Sequence, residues 1–165
     1  MSFDSFFSDV LSTVVGGTVL TFLFFLGREK LFPLPPMVGR WYFEIQTTST
    51  DYAPYQGMVL RYVAMIWPAE YRIEGTAEKI YEDSSTGIRP FVGEHRTRAV
   101  VEGVIQKQYF SSDKVFLHVV EEGHGRESTN FFRLVVHADG TMMIGTFSST
   151  VANQEGRSVW QRKPF

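Results

Sequence analysis

Between Val10 and Leu26 the chain reads VLSTVVGGTVLTFLFFL, 17 residues without a charge, and this stretch constrains the fold more than any other. About 17 apolar residues is the lower limit for a helix that crosses a bilayer. Phe3, Phe6 and Phe7 can lengthen it. A secretory signal peptide needs a positive n-region, whereas Asp4 and Asp9 precede the run without any Lys or Arg, and no A-x-A-like cleavage site follows. Length, position near the N-terminus and the lack of an amphipathic stripe favour a membrane anchor over a buried core helix.

Arg28, Lys30 and Arg40 follow the span while only acids precede it. Positive residues stay cytoplasmic, so the N-terminus is expected outside and the C-terminal domain in the cytoplasm. Within the span, Ser12 and Gly16, and likewise Thr13 and Gly17, are small residues four apart. That spacing lets two helices approach closely enough to pack, so self-association through this face is an expectation.

Residues 1–30 thus read as a membrane helix with its flanks, and residues 31–38 as a linker stiffened by Pro33, Pro35 and Pro36. Residues 39–165 change to period-two alternation rich in Val, Ile, Tyr, Phe and Trp. Strands are expected near 39–48, 57–67, 70–82, 94–110, 113–121, 129–138, 141–149 and 156–163. Turn signals separate them, among them DSSTG at 83–87, Gly123–Gly125 and Asp139-Gly140. The pattern predicts an all-β domain, an antiparallel up-and-down barrel of about eight strands, whose closure removes exposed edges.

Alternation also assigns faces. The first strand sets Trp41, Phe43 and Ile45 against Tyr42, Glu44 and Gln46, and the third sets Tyr71, Ile73, Gly75 and Ala77 against Arg72, Glu74, Thr76 and Glu78. If the third strand's apolar set points inward, the fourth turns His95, Thr97, Ala99, Val101 and Gly103 inward and Arg96 and Arg98 outward. Tyr62, Tyr71, His95, Thr97 and Thr146 are the expected polar lining of the barrel. Arg61, Arg96, Arg98 and Arg133 are candidate phosphate cations, should a bulge turn one inward.

The remaining chemistry is mostly excluded. A net charge of -2 with scattered basic residues offers a nucleic-acid polymer no footprint. The absence of cysteine removes disulfide and thiolate-metal sites. His95, His118, His124 and His137 form no H-E-x-x-H, so no metal is expected, and the Gly-His-Gly-Arg stretch at 123–126 reads as a hairpin turn. No P-loop, G-x-S-x-G or dinucleotide fingerprint occurs, and Glu121-Glu122 and Glu82-Asp83 are strand neighbours pointing to opposite faces. No catalytic residues and no cofactor are expected.

The anchor, the Gly39-Arg40-Trp41 opening of the first strand, Gly145-Thr146-Phe147, and the closing Gly156-Arg157-Ser158-Val159-Trp160-Gln161-Arg162 together resemble one family. It is that of the membrane-anchored, lipocalin-like β-barrel effectors of bacterial cyclic-oligonucleotide antiphage defence (CBASS). The resemblance implies a barrel that binds a cyclic di- or trinucleotide, and a homo-oligomer that impairs the inner membrane of the infected cell. Described members usually carry two membrane helices, and this chain has one. Activation by the nucleotide and restraint by it both stay open. A membrane-anchored carrier of an apolar molecule, or a purely structural barrel, is the alternative from a different class: the first needs a dry interior, the second a filled one.

Overall fold

The computed structural model describes residues 3–31, 33–123 and 126–165. They form two compact units that divide between Leu34 and Pro35. The first is a single helix, α1 (Phe3–Leu31). Its segment Phe7–Gly27, 21 residues, is long and apolar enough to cross a membrane, spanning about 30 Å at the usual helical rise. Side chains from Phe7 to Leu26 are exposed within the unit. The hydroxyls of Thr13, Thr18 and Thr21 donate to the carbonyls of Asp9, Val14 and Gly17 at 2.8–2.9 Å, which leaves the helix surface without an unsatisfied donor at those positions. The helix stops before the prolines, which supply no backbone donor.

The second unit is the β domain. Its strands are β1 (Gly39–Ser49), β2 (Val59–Ala69), β3 (Arg72–Ser84), β4 (Gly87–Pro90), β5 (Arg98–Gln106), β6 (Lys114–Gly123), β7 (Arg126–Val136), β8 (Met142–Ser149) and β9 (Gln154–Gln161). The hydrogen-bonded order is β2-β1-β9-β8-β7-β6-β5-β3, and β3 pairs back onto β2. Eight strands therefore close an antiparallel barrel, as the alternation predicts. Among the described residues the short β4 pairs only with the end of β3, through Tyr81–Ser84.

Two details differ from the sequence expectation. The segment expected as a strand from residue 94 begins with a turn of 3-10 helix at Gly93–His95, and β5 starts only at Arg98. Gly93 has a φ of 60°, a left-handed conformation that breaks an extended run. The β4 hairpin, with Gly87 at φ 110°, was not anticipated, because four residues ending in Pro90 give little alternation to read. The predicted turn at 123–125 falls partly on residues 124 and 125, outside the described residues.

Side chains of one parity fill the interior. Trp41, Phe43 and Ile45 of β1, Ile73 and Ala77 of β3, Val115, Leu117 and Val119 of β6, and Phe132 and Leu134 of β7 are all buried. At the barrel's middle the rings form a column. Phe43 stacks between Tyr62 and Trp160, with centroids 4.6 and 4.0 Å away, and Phe132 meets Phe43 and Trp160 edge-on. Such contacts add to the gain from burying large apolar rings.

Neighbouring strands approach so closely at two glycines that an inward Cβ has no room. A Cβ on Gly145 would lie 1.9 Å from the Arg133 carbonyl oxygen, and one on Gly156 would lie 1.9 Å from that of Gln46. Glycine at these places lets neighbouring backbones approach.

The two barrel ends differ. The linker enters at one, beside the β2–β3, β5–β6 and β7–β8 connections, and it is fixed there. Met37 is buried, its carbonyl accepts from Trp41 Nε1 at 2.9 Å, and the Arg162 guanidinium donates to the carbonyls of Pro36, Val38 and Arg40. Arg162 also lies over the Trp41 ring, 3.9 Å from its centroid. This linker end is apolar inside. The far end is where buried polar side chains gather.

Candidate ligand site at the far end of the barrel

The far end collects Thr47, Glu121, Asn130, Ser149 and Gln154, all buried, from five different strands. Register explains the gathering: Asn130 lies opposite Ser149, and Ser149 opposite Gln154. Thr47 Oγ1 donates to Gln154 Oε1 at 3.0 Å, and Gln154 Nε2 donates to the Val151 carbonyl. Buried polar groups persist only when paired in this manner.

The chemical centre is a carboxylate, Glu121. It follows Val115, Leu117 and Val119 on the inner face of β6, and it is 5% exposed. Its Oε2 accepts from the Tyr62 hydroxyl at 2.8 Å, and its Oε1 lies 2.6 Å from Lys79 Nζ. Lys79 continues the inward set Ile73, Gly75, Ala77 by one more step. At Lys79 the β2–β3 register slips: Tyr62 pairs Lys79 while Arg61 pairs Tyr81, so Ile80 is the extra residue. The ammonium also sits 5.9 Å from the Tyr62 ring centroid and 5.7 Å from that of Phe91, at the start of the β4–β5 loop. Burial, and then the charge of Glu121, hold the Tyr62 phenol well above its ordinary pKa.

This arrangement can offer a ligand one cation, one carboxylate, one phenol and the ring of Phe91. Lys79 and Glu121 neutralise one another, so an anionic ligand gains Lys79 only by competing with Glu121. Further cations stand near the same end. Arg96 pairs with Glu78 at 3.0 Å, Arg98 reaches toward the same carboxylate and is largely exposed, and Arg61 pairs with Glu44 at 2.7 Å and covers the Tyr81 ring.

Of the five residues expected to line the interior, Tyr62 lies there. Thr97 is half-buried just ahead of β5, where its carbonyl takes the Lys79 amide. Tyr71 is half-buried immediately before β3, at the linker end, and its carbonyl accepts from Ile105. His95 is exposed on the 3-10 turn, so the inward alternation did not extend back to it. Thr146 is exposed and points outward, because Phe147 and Met143 are the buried residues of β8 and Thr146 has the opposite parity.

Thr146 instead lines an external groove of about 980 Å³ that crosses several strands. Two rows of side chains run along it. Arg72, Arg133 and Arg157 share one with Phe116 and Thr146, while Glu74, Glu102 and Glu155 share the other with His118 and Phe131, whose rings stack at 4.8 Å. Arg133, a candidate phosphate cation, therefore sits outside the barrel.

Lys79, Glu121, Asn130 and Gln154 were missed by the sequence reading. The signal for Lys79 was present, since it extends by one step the alternation assigned inward on the third strand, and Glu121 extends the apolar series Val115, Leu117 and Val119, to which no face was assigned; charge at the end of an apolar series reads as the strand leaving the core. Among the described residues no group of three His, Asp or Glu is placed to hold a metal. Comparison of the chain with protein families, with curated proteins and with solved structures gave no match.

Proposed function

We propose that this protein is a single-pass membrane effector whose barrel senses a cyclic oligonucleotide at its far end and whose helix self-associates to disrupt the membrane. The observation that carries the reading is the grouping of Lys79, Glu121 and Tyr62 inside one end of a barrel that follows a membrane-length helix. A small barrel has room for one small ligand, and polar groups confined to one end give that ligand an orientation. Phosphates would draw Lys79 from Glu121, and Phe91 offers a ring on which a base can stack. The N-terminus outside, the barrel in the bacterial cytoplasm and the helix in the inner membrane follow from the charge flanks and the resemblance.

Self-association belongs to the same reading, since one short helix cannot by itself breach a bilayer. Ser12, Thr13, Gly16 and Gly17 supply its narrow face, and beyond the neighbouring residues and the helix's own backbone no described atom lies within 4 Å of a Cβ built at Gly16 or Gly17. The ring column of Phe43, Tyr62, Phe132 and Trp160 favours a second reading, a structural barrel filled by its own side chains. The same column leaves an apolar cargo no channel through the middle.

The test is a thermal-shift and calorimetric screen of the full chain in detergent against cyclic di- and trinucleotides, with a fatty acid as control. A ligand that binds the folded barrel raises its melting temperature by mass action. Saturable stabilisation by one cyclic nucleotide is the expected result. Stabilisation by fatty acid would establish the carrier, and none by any ligand the filled structural barrel.

A further inference from the structure

We infer that the β5–β6 loop, residues 107–113, is a second membrane contact that places Phe110 in the interfacial layer of the bilayer; the inference rests on α1 crossing that bilayer. Phe110 is fully exposed. Loops that carry an aromatic ring into water are normally free to fold it back, but this one is pinned at its base. The Asp113 carboxylate takes Lys107 Nζ at 2.9 Å and the Gln108 amide at 2.8 Å, and its carbonyl takes the Val136 amide at 2.8 Å. A fixed loop holding a bare phenyl ring outward is the arrangement of an interfacial anchor.

Connectivity points the loop at lipid. β5 ends and β6 begins at the linker end, the end through which the chain arrives from α1. Pro36, Met37 and Val38 are held to the barrel by Arg162 and Trp41, so four residues, 32–35, separate the last residue of α1 from the first held one. An extended proline-rich segment of that length reaches about 15 Å. The barrel's linker end is therefore tethered to α1 by a short segment.

The strand order places β5 and β6 across the rim from β1. A contact there complements the tether, because two attachments on opposite sides of one rim fix the tilt of the barrel. Neighbouring side chains suit the layer: Tyr109 and Trp67 are half exposed at the same end, and aromatic rings with a polar edge concentrate at membrane interfaces. Lys114, exposed at the start of β6, supplies a positive charge for anionic headgroups.

The chain has no cysteine, so one introduced thiol can carry an environment-sensitive fluorophore without ambiguity. Three full-length single variants, Phe110→Cys, Thr86→Cys at the far end and Leu20→Cys in α1, would be labelled and reconstituted in phosphatidylethanolamine–phosphatidylglycerol vesicles with and without headgroup-level and acyl-chain quenchers on the lipid. The expected result is blue-shifted emission at position 110 that the shallow quencher reduces most, deep quenching at position 20, and aqueous, unquenched emission at position 86. Aqueous emission at 110 with deep quenching at 20 overturns the contact while the anchor stands. Apolar emission at 110 that no lipid quencher touches assigns the loop to a second protein chain and also overturns it. Aqueous emission at both 20 and 110 removes the anchor and the contact together.

Discussion

Lys79 and Glu121 meet 2.6 Å apart inside the far end of the barrel, reaching from strands that are not neighbours, β3 and β6. The pair ties two walls of the barrel across its interior, and Tyr62 on β2 ties a third. Taking two charges from water is costly, and their attraction repays it only while both remain. Lys79→Met should therefore destabilise the barrel by about 3–5 kcal/mol, and the double replacement Lys79→Met with Glu121→Leu by much less. A double-mutant cycle measured by denaturant unfolding checks this; additive single effects would show that the two groups are not coupled.

Tyr62 makes the stability of the barrel depend on alkali. Its folded-state pKa is raised by burial and by Glu121, so the folded state holds the phenolic proton more tightly than the unfolded chain does. The associated stability is complete below the unfolded value, roughly pH 10, and declines as pH rises beyond it. Absorbance titration should show one of the 7 tyrosines ionising only as the barrel opens. In Tyr62→Phe that late phase should vanish, with a loss of about 1–3 kcal/mol at neutral pH from the unmet Glu121 oxygen.

Gly145 and Gly156 should refuse even a methyl group. An added Cβ meets backbone oxygen at 1.9 Å in each case, and backbone cannot turn aside as a flexible side chain can. Gly145→Ala and Gly156→Ala are each expected to cost upward of about 2 kcal/mol, in the range of overpacked cores. Thermal melts of the two variants measure it, and a melt unchanged from wild type would mean that the strands spread there without penalty.

The helix makes a separate prediction. Gly16→Leu with Gly17→Leu fills the narrow face of α1 and leaves the sequence of the barrel unchanged. Assembly in the membrane, read by crosslinking, and any toxicity on overexpression should both fall, while ligand binding by the barrel is unchanged. Unaltered assembly would remove the helix contact from the proposed function.

How far the sequence reaches is clear from particular residues. Trp41, Phe43 and Ile45 could be assigned to the core because each strand repeats its parity with apolar residues, and burial enforces a register that any slip would reverse. Parity failed at Thr146 because β8 carries Gly145 and Thr146 side by side, and neither is apolar enough to mark a face. His95 was misplaced because a left-handed glycine two residues earlier interrupts the strand. The Lys79–Glu121 pair lay beyond reach for another reason: it joins residues 42 positions apart, and whether two charges partner across a barrel depends on diameter and shear, which alternation does not encode.

The seam of the barrel gives the chain an order of events. β1 borders both β2 and β9, and the β1–β9 ladder joins residues 42–49 to residues 155–161. On a growing polypeptide the helix and β1 emerge long before β9 exists, so one edge of β1 stays open while the rest is being made. The membrane-length helix therefore leaves the ribosome before the barrel can close, and Arg162, one residue beyond the seam, is among the last to arrive and fastens the linker to the rim. A nascent chain stalled before β9 would expose an unpaired strand edge, the state most open to mispairing and to quality control.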